Sequence, residues 1–371
     1  RPRAEKKDIV RALGLLQQAE RPVIISGGGV KHSKAGPQLL RLAESLRIPV
    51  ATSLNGKDTF LANHPLSAGV VGTYSRGSAN RVVGEADLIC FIGSKTGGMT
   101  THFWQVPPIG ANAIQIDIDP QAIGRNYPLK AAVQGDARSV LEVMISLMDP
   151  STATRRDRWN QQVKEFVDSW YAEYDHLLKS DATPIRPERL CNDLTRLLPD
   201  DSLVVVDTGH AGMWMGGMFD VTSTSQNYVR SAGHLGWAFP AGLGAKCALP
   251  ERPVVCFTGD AGFWYHIAEI ETAVRWNINS ITLVNNNSAG NQSKTGFDKA
   301  YGGTQTEQAK EIWNFTKVNF ANIANEIGAL GIRVEKPGDF NSALDQALSA
   351  NRPVIIDVVT DVDAIAPIAV T

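Results

Sequence analysis

The sequence predicts an α/β protein with two units, each built on a parallel β-sheet. Short β-branched, apolar runs alternate with segments of helical spacing in both halves of the chain. Several of these runs are apolar at nearly every position, which is typical of strands covered on both faces, as the strands of parallel sheets are. We therefore expect two Rossmann-like sheets joined by a helical connector.

The first predicted unit covers residues 1–150. Its predicted strands are 22–26, 48–51, 87–92 and 113–117. Segments 37–47 and 137–148 carry apolar residues at helical spacing. Gly27-Gly28-Gly29 directly follows the first strand and resembles a nucleotide-binding turn, although its spacing differs from Gly-x-Gly-x-x-Gly.

A helical connector is predicted over residues 151–186, because 155–179 is charged and aromatic at helical spacing and two prolines end it near 183–187. The second unit covers 187–371 and begins with a helix over 188–198. Its predicted strands are 203–207, 253–258, 280–284, 331–334 and 353–357.

Composition narrows the class of protein. The 371 residues are 43% hydrophobic and 20% charged, as in a globular protein, and the net charge of −2 gives no basic surface for nucleic acid. No apolar run approaches the roughly 20 residues that span a bilayer, so we expect no membrane segment. The four cysteines show no Cys-x-x-Cys spacing. Free thiols in a reducing, cytoplasmic compartment are expected.

Asp260 and Asn287 are predicted to face each other at one edge of the second sheet. Asp260 follows the strand over 253–258, a helix is predicted over 263–276, and Asn287 follows the next strand. Parallel neighbouring strands end at the same edge of a sheet. A carboxylate and an amide oxygen can share Mg²⁺ there, with positions left for phosphate oxygens and water.

Small residues follow Asp260. Ala261 and Gly262 would let a diphosphate approach the N-terminus of the next helix, where free N–H groups and the helix dipole favour anions. Gly259-Asp260-Ala261-Gly262, followed at this distance by Asn285-Asn286-Asn287, resembles the motif of thiamine-diphosphate-dependent enzymes, with Ala261 where glycine is usual.

The resemblance covers nearly the whole chain. The first unit resembles the family's central domain and the second its thiamine-diphosphate-binding domain. The branch most similar to this chain contains acetohydroxyacid synthases, benzoylformate decarboxylase and oxalyl-CoA decarboxylase. It implies three Mg²⁺ ligands, which are Asp260, Asn287 and the backbone carbonyl of Ala289. The triple asparagine leaves Asn286 as an alternative ligand.

The resemblance also implies that Leu235 is the fulcrum, the apolar side chain that bends the cofactor so that its amino group reaches thiazolium C2. From the residue alone, Leu235 would more often be an ordinary core leucine. His210 could donate to a phosphate oxygen or be a solvated turn residue. The residues implied to contact the cofactor are Gly209, His210, Ala211, Gly233, His234, Leu235, Gly259, Asp260, Ala261, Gly262, Asn287, Ala289, Gly290 and Asn291.

For the first unit the resemblance implies FAD, ADP or no ligand, since relatives differ in this domain. Ser94-Lys95-Thr96-Gly97-Gly98 stands where acetohydroxyacid synthases carry an arginine-rich turn, which disfavours FAD. Asp117 and Asp119 could meet a ribose, or Asp119 could cap a helix that begins at Pro120.

The implied reaction is thiamine-diphosphate- and Mg²⁺-dependent cleavage or formation of a C–C bond beside the carbonyl of a 2-oxo acid or an acyl-CoA-type substrate. Lyase and carboligase are not separated, and a flavin-linked oxidase relative or a cofactor-binding fragment or regulatory protein without activity of its own are the alternatives. The family's pyrimidine-binding domain, which carries the catalytic glutamate, is expected from a missing N-terminal part or from another chain. A homodimer or homotetramer is implied.

The segment after Asn287 is the last candidate. Residues 290–308 lack apolar periodicity and are rich in Gly, Gln and Thr, so they are expected to form an active-site lid or an ordinary surface loop.

Overall fold

The computed structural model describes residues 1–231 and 233–367. They form two compact units, Arg1–Tyr174 and Asp175–Ala366. Each unit is built on a six-stranded sheet in which every neighbouring pair of strands is parallel. The predicted α/β class with two parallel sheets is therefore confirmed.

The first unit has the strand order β3-β2-β1-β4-β5-β6. The strands are β1 (Pro22–Ser26), β2 (Val50–Thr52), β3 (Ser67–Val70), β4 (Leu88–Ile92), β5 (Ala113–Asp117) and β6 (Leu129–Gln134). The α-helices are α1 (Lys6–Gln18), α2 (Gly28–His32), α3 (Gly36–Leu46), α4 (Gly77–Glu85), α5 (Ala137–Leu147) and α6 (Asp157–Leu178), and the 3₁₀ helices are Leu54–Thr59 and Pro150–Arg156. Helix α6 crosses the boundary between the units.

Both faces of the first sheet are covered. Along β1, Ile24 belongs to one apolar cluster, while Val23 and Ile25 belong to another. Successive side chains of a strand point to opposite faces, so the two clusters lie on the two sides of the sheet. This double burial is the reason why the strand is apolar at four of its five positions.

Arg156 ties the helices of the first unit together. Its guanidinium is fully buried and donates to the backbone carbonyls of Leu16 at 2.6 Å and Leu46 at 2.5 Å, with a longer bond to Ala19. These carbonyls belong to the last turns of α1 and α3 or follow directly, where helices leave C=O groups unsatisfied. Burial lowers the pKa of Arg156 to about 10, so the side chain stays charged at neutral pH.

The second unit has the strand order β11-β12-β10-β9-β7-β8. The strands are β7 (Leu203–Val206), β8 (Asn227–Arg230), β9 (Val254–Gly259), β10 (Ile281–Asn286), β11 (Leu330–Val334) and β12 (Val354–Val359). The helices are α7 (Pro187–Leu197), α8 (His210–Gly217), α9 (Ala238–Ala248), α10 (Asp260–Trp264), α11 (Glu269–Arg275), α12 (Asn291–Ala300), α13 (Glu307–Trp313), α14 (Phe320–Ile327) and α15 (Phe340–Ser349), with a 3₁₀ turn at Pro337–Asp339.

Two segments of the second unit differ from the sequence prediction. The single helix expected over 263–276 is two helices, α10 and α11, because the N–H of Tyr265 bonds the carbonyl of Gly262 three residues back and tightens the chain into a turn. Much of the segment 290–308 is helical, in α12 and α13. Gln305 lies between these helices and connects them, since it donates to the carbonyl of Lys294 in α12 and accepts from Trp313 Nε1 in α13.

Candidate active site

The candidate site lies at the carboxyl ends of β9 and β10, which are neighbours in the second sheet. Asn285 of β10 is in register with Gly259 of β9. Asp260 therefore starts α10 directly beyond β9, and Asn287 follows β10 at the same edge. The strand–helix–strand rule places these two residues correctly in the same part of the fold.

The oxygens of Asp260 and Asn287 converge on one backbone group. The N–H of Ala289 donates to Asp260 Oδ2 at 3.1 Å and to Asn287 Oδ1 at 3.1 Å. Asp260 Oδ1 accepts a second bond, from the N–H of Ala261 at 2.7 Å. The two side-chain oxygens therefore lie close together at the sheet edge, and carboxylate and amide oxygens are the kind of ligand that a hard divalent cation prefers.

The turn after β10 separates the asparagines. Ser288 has φ of +56°, a left-handed conformation that brings Ala289 back towards the sheet edge. Asn286 is buried, and its Nδ2 donates to Asp357 Oδ1 at 2.8 Å and to the carbonyl of Val318 at 3.0 Å. Asn286 thus bonds to Asp357 of β12 and to Val318, whereas Asn287 shares a hydrogen-bond donor with Asp260.

Asp260 is a buried carboxylate, 4% exposed, with no ion-pair partner among residues 1–231 and 233–367. Burial raises its pKa to about 6, although the N–H groups of Ala261, Ala289 and Ser288 act in the opposite direction and the charge of Asp357 adds to the rise. The described residues contain no group of three or more His, Cys, Asp or Glu that could hold a metal. A metal here would need the amide and carbonyl oxygens that accompany Asp260.

Leu235 lies in a turn with a left-handed glycine near each end, Gly233 at φ +88° and Gly236 at φ +87°. Its side chain is 37% exposed, so it is not the core leucine of the alternative interpretation. The Leu235 side chain lies close to Gly209. A Cβ built at Gly209 would lie 3.8 Å from Leu235 Cδ1 and 3.5 Å from Gln292 Oε1. Neighbouring His234 is exposed.

Helix α8 begins at His210 with Gly209 as its N-cap, and Asp207 and Thr208 separate it from β7. Gly209 has φ of +65°, and Ala211 behind it is buried. His210 Nδ1 is buried and has no hydrogen-bond partner among the described residues. Burial lowers the pKa of His210 to about 4, so the ring is neutral at pH 7 and is not the solvated turn residue of the alternative interpretation.

The packing of the protein itself requires a glycine at position 262. A Cβ at Gly262 would lie 2.6 Å from Asp207 Oδ2 and 3.0 Å from Thr258 Oγ1, so a side chain at this position would collide with these two atoms. Gly259, by contrast, faces open space. Because α10 has only five residues, its dipole is weak and its free N–H groups matter more.

Gly290 and Asn291 complete the predicted set. The N–H of Gly290 bonds the carbonyl of Trp313 at 2.6 Å, and Asn291 Nδ2 donates to the carbonyl of Ala364 at 3.2 Å. Both residues bond the protein itself, and they fix the start of α12 beside the metal-ligand candidates.

Asp207 is a site residue that sequence reasoning missed, because it was interpreted only as the end of a strand. It is fully buried, and its carboxylate accepts bonds from the Gly236 N–H, the Thr208 N–H and the Thr258 hydroxyl. Burial raises its pKa, and these bonds oppose the rise. An acidic residue directly after a buried strand was the available signal.

The first unit has a separate cavity of about 400 Å³ at the carboxyl ends of β1, β4 and β5. Gly29, Lys95, Asp117 and Asp119 are among the residues that line it. Gly29 is needed for packing in its own right, since a Cβ there would lie 2.6 Å from Gly93 Cα. Asp119 Oδ1 accepts from the N–H of Gln121, in a turn that does not begin one of the α-helices described above.

Two family models match the chain, one in each unit. The thiamine pyrophosphate enzyme central domain matches residues 9–144, and the thiamine pyrophosphate enzyme C-terminal TPP binding domain matches residues 207–358. The chain belongs to the thiamine pyrophosphate enzyme family, as the motif around Asp260 predicted.

Its curated relatives include large subunits of acetolactate synthase. The probable acetolactate synthase large subunit of Methanococcus aeolicus is 31% identical over 370 residues, which are 96% of this chain and 60% of the relative. The acetolactate synthase isozyme 3 large subunit of Escherichia coli K12 is 30% identical over 366 residues, 96% of this chain and 62% of the relative. The chain thus spans about 60% of the length of these relatives.

No helix in the described ranges is both long enough and apolar enough to cross a bilayer.

Proposed function

We propose that the chain carries the diphosphate- and Mg²⁺-binding part of a thiamine-diphosphate-dependent carboligase or lyase that acts on a 2-oxo acid. The observation that carries the proposal is the convergence of Asp260 Oδ2 and Asn287 Oδ1 on the N–H of Ala289. The names of the relatives favour an acetolactate-synthase-like carboligase over a decarboxylase.

The residues at the sheet edge fit the cofactor. Asp260 and Asn287 would hold Mg²⁺ together with the carbonyl of Ala289. The cation would supply the positive charge that pairs with the buried Asp260 carboxylate. His210 Nδ1 is an unsatisfied buried atom that could bond a polar group of the ligand. The open space at Gly259 leaves room for phosphate oxygens.

When bound, thiamine diphosphate supplies the nucleophilic carbon and the electron sink for C–C chemistry beside a carbonyl. The contribution of this chain is to orient and shield the cofactor. Leu235, exposed beside Gly209, would contact the cofactor as the fulcrum.

We further propose the domain roles and the partners. Residues 1–150 would act as the central domain, 151–186 as a connector and 187–371 as the diphosphate-binding domain. A pyrimidine-binding domain, on the same polypeptide or another, would supply the catalytic glutamate, and a homodimer or homotetramer would complete the site. A cytoplasmic location agrees with four free cysteines.

Calorimetry of thiamine diphosphate binding with and without Mg²⁺ tests the proposal without any substrate. Asp260→Ala should abolish the Mg²⁺-dependent part of binding, because it removes the only charged ligand proposed. Asp200→Ala, at an exposed carboxylate of the same unit, is the matched control and should bind as the wild type does. Unchanged binding in Asp260→Ala would show that the metal site is assigned wrongly.

The cavity in the first unit supports a second, weaker candidate, which is a flavin-linked oxidase relative. Asp117 and Asp119 could meet the ribose of FAD or ADP there. A tightly bound yellow chromophore in the purified protein would favour FAD, and binding of ADP by calorimetry would favour a nucleotide without redox chemistry. If thiamine diphosphate binds but no substrate turns over in the complete assembly, the remaining candidate is a cofactor-binding regulatory protein.

A further inference from the structure

Asp207 joins three segments at the candidate site. It follows β7, and its Oδ1 accepts a bond from the N–H of Thr208 at 2.8 Å. Its Oδ2 accepts from the Thr258 hydroxyl at 2.8 Å, two residues before Asp260. Both of its oxygens lie 3.0 Å from the N–H of Gly236, the residue directly after Leu235.

The turn that carries Leu235 has little to hold it in place by itself. Gly233 and Gly236 both have left-handed φ values, and glycine has the greatest backbone freedom of any residue. Leu235 itself is 37% exposed and therefore gains only part of the packing that would fix its position. An external restraint is needed, and the bond from the Gly236 N–H to Asp207 supplies one.

The packing around the carboxylate leaves no space for a side chain at Gly236 or Gly262. A Cβ at Gly236 would lie 2.8 Å from the carbonyl oxygen of Gly262, and a Cβ at Gly262 would lie 2.6 Å from Asp207 Oδ2. Asp207 is fully buried, so the bonds it accepts replace those that water would make. The three residues therefore form a closely packed contact behind Leu235.

We propose that Asp207 is a positioning residue that anchors the Leu235–Gly236 turn and so presents Leu235 to the cofactor. The role of Leu235 in this inference rests on the proposed function, whereas the anchoring of the turn by Asp207 does not. The carboxylate acts through the turn and is not required to contact the cofactor. Its removal should therefore affect the orientation of the cofactor more than its affinity.

The first experiment measures residue-resolved hydrogen–deuterium exchange of the Gly236 amide in the full protein without cofactor. In the wild type it should be protected relative to the amide of Gly233. Asp207→Ala should accelerate its exchange by about tenfold or more, the effect of one lost hydrogen bond of this kind. Asp207→Asn keeps one acceptor oxygen and should lie between the two.

Thr258→Val is the matched control. It removes the hydroxyl that bonds Asp207 but leaves the carboxylate free to accept from the Gly236 N–H, so exchange at Gly236 should stay within about threefold of the wild type. Equal exchange at Gly233 and Gly236 in the wild type would overturn the anchoring role. Because this comparison needs no variant, it decides the matter even if Asp207→Ala does not fold.

The second experiment uses the complete enzyme with its pyrimidine-binding domain. In Asp207→Ala, the exchange rate of the C2 proton of thiamine diphosphate should fall by about tenfold or more, while the Kd of the cofactor with Mg²⁺ stays within about threefold. A C2 exchange rate equal to that of the wild type would overturn the positioning role. Failure of the wild type to bind thiamine diphosphate at all would instead overturn the proposed function.

Discussion

The side-chain oxygens of Asp260 and Asn287 share one hydrogen-bond donor, the N–H of Ala289, which lies 3.1 Å from each. The two residues come from the ends of neighbouring parallel strands, and the left-handed turn at Ser288 brings the shared donor between them. Carboxylate and amide oxygens have further lone pairs besides those that accept from this N–H, and such oxygens are ligands that a hard divalent cation prefers.

The substitutions Asn287→Ala and Asn286→Ala should affect two different properties, cofactor binding and stability. Asn287→Ala should weaken Mg²⁺-dependent thiamine diphosphate binding by about tenfold or more, because it removes a ligand oxygen, and should change stability little. Asn286→Ala should lower the free energy of unfolding by about 2 kcal/mol, since it removes bonds to Asp357 and Val318. Calorimetry and urea unfolding measure the two effects. A loss of metal dependence in Asn286→Ala alone would make Asn286 the ligand.

Leu235→Ala should leave the affinity for thiamine diphosphate largely intact and slow C2 proton exchange in the complete enzyme by about tenfold or more, because the bent cofactor loses its support. Leu249→Ala is a matched control, since Leu249 is 37% exposed, as Leu235 is. It should exchange at the wild-type rate. Equal rates in the two variants would contradict the fulcrum assignment.

His210 should make the stability of the cofactor-free protein depend on pH. Burial lowers its pKa from 6.5 in the unfolded chain to about 4 in the folded protein, so the unfolded state binds more protons between these values. The stabilising contribution is fully present above pH 6.5 and is lost as the pH falls towards 4. The difference in free energy of unfolding between the wild type and His210→Gln should therefore grow with pH over this interval. A difference independent of pH, measured by urea unfolding, would show that the ring is not desolvated.

Asp357→Ala should strongly destabilise the second unit. Asp357 is fully buried and accepts bonds from the Phe320 N–H, from Asn286 and from the guanidinium of Arg333. Its loss leaves buried donors unpaired, so we expect a loss of about 3 kcal/mol or more in urea unfolding. Arg275→Ala, which breaks an exposed pair with Glu271, should cost less than about 1 kcal/mol. Similar losses in the two variants would contradict this account.

Arg156→Met should destabilise the first unit by about 3 kcal/mol, because it leaves the carbonyls of Leu16 and Leu46 without their buried donor. Arg155→Met is the neighbouring control. Arg155 makes one long, exposed bond to Gln18 and should cost less than about 1 kcal/mol. Thermal unfolding followed by circular dichroism compares the two, and equal melting temperatures would contradict the capping role.

Strands were predicted well where they are buried on both faces. The central strands β1 and β4 are nearly uninterrupted apolar runs, and β9 and β10 are apolar mainly in their first four residues, because these strands are buried. The three strands that the sequence pattern missed are β3, β6 and β8, and all three lie at edges of a sheet. The strands β6 and β8 are partly exposed and carry polar residues, so they lose the apolar signal. The short strand β3 is mostly buried, but its sequence Ser-Ala-Gly-Val contains only small residues before Val70 and gives no strand signal.

The sequence by itself determined the fold class and the meeting of Asp260 with the asparagines, because strand and helix periods are local and parallel strands must end together. Only the tertiary structure decided which asparagine faces Asp260. That choice depends on the left-handed turn at Ser288 and on Asp357, which binds Asn286 from 71 residues away. The role of Asp207 was hidden for the same reason, since its bonding partners come from distant parts of the chain and are brought together only by packing.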